Sequence, residues 1–66
     1  MNDIPTGSLW THRETGAQTV VLTCVDAHDP PSDMKMIQYH LVQENRTLVT
    51  LAYVGEWRHT YVLLSE

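Results

Sequence analysis

Thr19-Val20-Val21-Leu22-Thr23-Cys24-Val25 is the stretch that most narrows what this chain can become. Five of its seven residues are branched at Cβ, and such side chains lose rotamer freedom in a helix and pack well on a pleated surface. Both faces of the run are partly apolar, which suits a strand flanked on each side by others. A central strand in a chain of 66 residues leaves room for one domain, and the remaining segments have to supply its neighbours.

Those neighbours are legible in order. Residues 1–6 read as a flexible lead-in and 7–66 as a single small β domain. Ser8 to Arg13 alternates Leu9 and Thr11 against Trp10 and His12. Glu14-Thr15-Gly16-Ala17 then turns the chain, with Gly16 free to take positive φ. After the central strand, Asp26 to Asp33 holds two prolines among acids and a serine, and reads as an exposed loop.

Met34 to Gln43 fits two templates. As a helix it offers Met34, Ile37 and Leu41 as a stripe; as a strand it places Ile37, Tyr39 and Leu41 on one face and Met36, Gln38, His40 and Val42 on the other. The alternation accounts for more residues, so a strand is predicted. A turn at Glu44-Asn45-Arg46 follows, because Asn tolerates the left-handed region. Leu48 to Leu64 then reads as two strands about a bend at Gly55-Glu56. Val49, Leu51 and Tyr53 are expected in the core, and Trp57, His59, Tyr61 and Leu63 on one face of the last strand. The predicted class is all-β, a small five-stranded antiparallel barrel or strongly bent sheet, with α+β and a helix at 34–43 as the alternative.

Composition excludes several functions. Four Lys and Arg against eight Asp and Glu give a net charge of −4, and the cations stand singly, which disfavours a nucleic-acid surface. The single cysteine, Cys24, forms no internal disulfide and points to a reducing compartment. No secretory leader or apolar run long enough for a bilayer is visible, so a soluble, cytoplasmic protein is expected. Asn45-Arg46-Thr47 matches the glycosylation pattern, which has no consequence without secretion. So small a core nets little stability, and self-association as a homodimer is the expected supplement.

Gly7-Ser8-Leu9-Trp10-Thr11-His12-Arg13, the strand Thr19-Val20-Val21-Leu22 and the late Trp57 resemble small uncharacterised phage and bacterial proteins. Those proteins open on Gly-x-x-(Tyr/Trp)-x-His-(Lys/Arg) and return on a Val-rich strand. The resemblance implies an SH3-like barrel and a phage or bacterial origin. It implies no catalytic residue.

Reactive groups are few. Cys24 with Asp26, His28 and Asp29 is the densest cluster of metal-ligand types, yet it offers one loose pair where a closed zinc site needs four ligands. A thiol inside the most apolar strand is raised in pKa and inert. No phosphate loop, nucleotide fingerprint or nucleophile elbow occurs. No enzyme, cofactor or metal is therefore predicted; the alternative is a small metal- or ligand-binding module using Cys24 to Asp29. The leading expectation is a protein-interaction module modulating a host protein through an aromatic patch of Trp10, Trp57 and Tyr61, edged by His12, Arg58 and His59.

Overall fold

The computed structural model describes residues 4–30 and 32–66. Five antiparallel strands form one sheet: β1 (Leu9–His12), β2 (Gln18–Asp26), β3 (Met34–Leu41), β4 (Arg46–Tyr53) and β5 (Tyr61–Ser65). Their order is β4-β3-β2-β1-β5, so the β-branched run is central, as its two apolar faces required. The sheet is not closed into a barrel: β4 and β5 are its two edges. β2 carries an irregularity between Val21 and Thr23, where Leu22 is one extra residue relative to β3 and the strand can bend.

The turns follow local chemistry. Gly16 has φ of 76° in the β1–β2 turn, and Asn45 has φ of 51° in the β3–β4 turn. The segment 34–43 is extended over Met34–Leu41, which settles it as strand.

The last third departs from expectation. Val54–Thr60 is a helix, α1, and the final strand starts at Tyr61 rather than Trp57. Gly55 and Glu56, expected as a bend, lie in its first turn. Glu56 accepts a hydrogen bond from the Tyr53 backbone N–H at 3.2 Å, and the Val54 N–H donates to the Asp33 carbonyl at 3.1 Å. An acid in the first turn and Arg58 and His59 in the last complement the helix dipole. Val54 and Trp57, three apart, share the buried face.

The core is made of Ile4, Trp10, Val21, Ile37, Val54 and Trp57, with Cys24, Tyr39, Ala52, Tyr61 and Leu63 packed around it. Ile4 is 2% exposed, so the lead-in expected over 1–6 contributes a core residue; residues 1–3 lie outside the described part of the chain. That segment is fastened to β2. The Gly7 N–H donates to the Val21 carbonyl at 2.7 Å, the Ser8 hydroxyl donates to the Pro5 carbonyl, and the Trp10 indole N–H donates to the Ser8 hydroxyl at 2.6 Å. Trp10 is thus buried with its polar edge satisfied.

Val49, Leu51 and Tyr53, expected inside, face away from this core. The register of β3 with β4 places Ile37 opposite Thr50 and Lys35 opposite Ala52 on the inner side, and Met36 opposite Leu51 on the outer. Val49 is 60% and Leu51 62% exposed.

Trp57 is 3% exposed at the centre of the inner face. Truncation of such a residue costs about 3–5 kcal/mol, comparable to all that a core of this size supplies. Trp57→Ala is therefore expected to abolish the cooperative urea transition. A retained transition of wild-type midpoint would show that the inner face does not depend on this ring.

Candidate functional site

The six residues expected as a binding patch are brought together, but around a buried centre. Trp57 stacks on Tyr61 with ring centroids 4.2 Å apart and meets Trp10 edge-on at 6.0 Å. Tyr39 approaches Trp57 from β3 at 5.6 Å. Trp10 is 1% exposed, so neither tryptophan offers the exposed ring that a docking patch requires. The reason is α1: a strand starting at Trp57 would set that ring in the edge ladder of the sheet, whereas the helix lays Trp57 over the inner face.

The edging residues have structural partners. The rings of His12 and Tyr61 meet nearly at right angles with centres 5.1 Å apart, and the His12 Nδ1 accepts from the backbone N–H groups of Glu14 and Thr15 at 3.2 and 3.3 Å. Those bonds tie the β1–β2 turn. The Arg58 guanidinium lies 5.4 Å from the Trp10 ring centre, and the Arg58 carbonyl accepts from the Arg13 side chain at 3.2 Å. His59 is exposed and lines a shallow cleft with His12, Arg13, Glu14 and Thr60. A second cleft, about 260 Å³, lies beside the aromatic cluster between Tyr39, Thr50, Ala52, Glu56 and Tyr61.

The cluster from Cys24 to Asp29 is not assembled for a metal. Asp26 forms an ion pair with Lys35 at 2.5 Å across β2 and β3, while the His28 ring nitrogen lies 3.1 Å from the Met34 sulfur. Cys24 is half-buried on the inner side opposite Ile37. Among the described residues, no group of three or more His, Cys, Asp and Glu is placed to hold an ion. No described helix is long and apolar enough to cross a membrane.

The most unusual surface is the one that sequence reasoning placed inside. Ladder pairing puts Val25, Met36 and Leu51 side by side across β2, β3 and β4, with Val49 and Tyr53 flanking Leu51 along its strand. Leu22 at the irregularity in β2, and Val62 and Leu64 on β5, are exposed as well. The other outward positions are Leu9, Thr11, Gln18, Val20, Thr23, Met34, Gln38, His40, Thr47 and Ser65, so among the described residues this face carries no Asp, Glu, Lys or Arg. The absence of charge at alternate positions was the signal available in the sequence, once sidedness was known.

Burial raises the Tyr61 hydroxyl above its ordinary pKa of 10.0, with the neighbouring Tyr39 adding to the shift. Above the unfolded value the unfolded chain releases this proton first, so stability falls as pH climbs from there towards the folded value. The urea midpoint of the wild type is expected to drop between about pH 9 and about pH 11 by more than that of Tyr61→Phe. Equal drops would show that this hydroxyl carries none of the alkaline loss.

No protein-family model matches the chain, and comparison with curated proteins and with solved structures gives no significant match.

Proposed function

We propose that this chain is a small protein-interaction module that works by contact, through the outer face of its sheet rather than through the aromatic cluster. One observation carries the reading: a sheet face without a charged residue among those described, in a chain where 18% of residues are charged. Leu22, Val25, Met36, Val49, Leu51 and Tyr53 on its β2–β4 side are each between 38% and 62% exposed. Together they amount to on the order of 500 Å² of apolar surface, the upper range for the largest patch on an ordinary monomer. This is a chain of only 66 residues, with 4331 Å² of accessible surface over its described part.

An SH3-like architecture belongs to the same proposal. Five antiparallel strands in one sheet, with an irregular central β2 and a short helix before the last strand, are compatible with such a domain. Action on a host protein, and a phage or bacterial origin, rest on the resemblance of the Gly7 to Arg13 segment.

A photo-crosslinking residue introduced at Val49 is expected to give discrete protein adducts on irradiation in cells. The same residue at Glu44, in the exposed β3–β4 turn, is expected to give none. Equal labelling at both positions, or no adduct at Val49, would remove the outer face as a contact surface.

A further inference from the structure

We infer that the occupant of the outer face is a second copy of this chain, packed sheet against sheet about a two-fold axis; this rests on the reading of that face as a contact surface. The first reason is the balance between buried and exposed apolar groups. Among the described residues six hydrophobic side chains are buried, whereas nine large ones are exposed. The chain's apolar complement is not consumed by its own fold, and a domain this small gains most from covering the surplus with another copy.

The second reason is electrostatic. Two copies bring the same net charge of −4 to their encounter, so a self-contact is favourable only where like charges stay outside it. Among the described residues no acid takes an outward ladder position; Asp29 and Asp33 lie in the exposed loop before β3, and Glu66 follows β5. Asp26 is held by Lys35, Glu44 and Arg46 pair at 3.0 Å in the β3–β4 turn, and Glu14 and Glu56 lie in a turn and in α1. A partner chosen by charge complementarity would find nothing on this face to complement. An anionic bilayer would be repelled by the chain as a whole.

The third reason is shape and area. In a two-fold contact the same patch serves both sides, and two sheets stack about 10 Å apart with their side chains interdigitated. The Val25-Met36-Leu51 row, flanked by Val49 and Tyr53, supplies ridges, and Met36 adapts to the irregular gaps between them. The patch of on the order of 500 Å², widened by the uncharged rim of Thr23, Gln38 and Thr47, approaches the roughly 800 Å² per partner of a stable interface.

The test is the solution mass of the purified chain across a concentration series, by sedimentation, for the wild type, Leu51→Lys and Val49→Lys. Both positions are mostly solvent-facing, so the variants should keep the near-ultraviolet dichroism of the stacked Trp57 and Tyr61. The wild type is expected at twice the 7.6 kDa of one chain, and each variant at 7.6 kDa, with dissociation constants raised at least 100-fold. Wild-type and variant dimers of equal strength would overturn the inference, because the copies would then meet elsewhere, as by pairing of the β4 edges. A monomeric wild type would overturn it too. In that case adducts from Val49 to a different protein would leave the interaction reading standing, and no adducts would end both.

Discussion

The stack of Trp57 on Tyr61 is the contact on which the rest of the inner face depends. Val54 and Trp57 are the buried residues of α1, and the helix is joined directly to β5 at Tyr61. With the rings 4.2 Å apart, the helix and the edge strand that follows it are held as one piece. Trp10 from β1 and Tyr39 from β3 close on the same indole edge-on, one of the two geometries that ring quadrupoles favour. One side chain therefore ties together a helix, an edge strand and two interior strands. Among the described residues the Trp57 indole N–H has no hydrogen-bond partner, a cost that the packing of its ring has to outweigh.

The same cluster faces the two smallest residues on the inner side of β4. Thr50 and Ala52 face the aromatic rings, while Val49 and Leu51 face away. Leu48, opposite Tyr39, is the large aliphatic side chain on that inner side. Between the rings and the small side chains of Thr50 and Ala52 lies the cleft of about 260 Å³. Hydrophobicity alone ranks Val49, Leu51 and Tyr53 as the core set, and the register reverses the ranking.

That reversal marks how far the sequence could be read. Strands β1 to β4, the turns at Gly16 and Asn45, and the alternation within β3 are local matters, set by Cβ branching, turn chemistry and period. Sidedness is not local. A period of two divides a strand into two faces without saying which is inside, and that decision belongs to whatever covers one of them. Here it belongs to α1, and α1 was hidden because Trp57, His59, Tyr61 and Leu63 also satisfy a strand pattern. Glu56, three residues beyond Tyr53, and the Arg58-His59 pair at the helix end were the signals that favoured a helix. With the helix unseen, the inner rings were expected on the surface and the outer aliphatics in the core.

The outer aliphatics are not explained by the needs of a strand. Val25, Val49 and Val62 are β-branched and stabilise extended backbone even when exposed, although threonine would do so without presenting an apolar surface to water. Leu22, Met36, Leu51 and Leu64 have no branch at Cβ, and their presence on the outer face earns nothing in strand propensity. Buried packing does not call for them either, since each is between 38% and 62% exposed. An unbranched apolar side chain on a strand stabilises only when something excludes water from it. Four such residues, on a face kept clear of charge, are what a second surface packed against that face would account for.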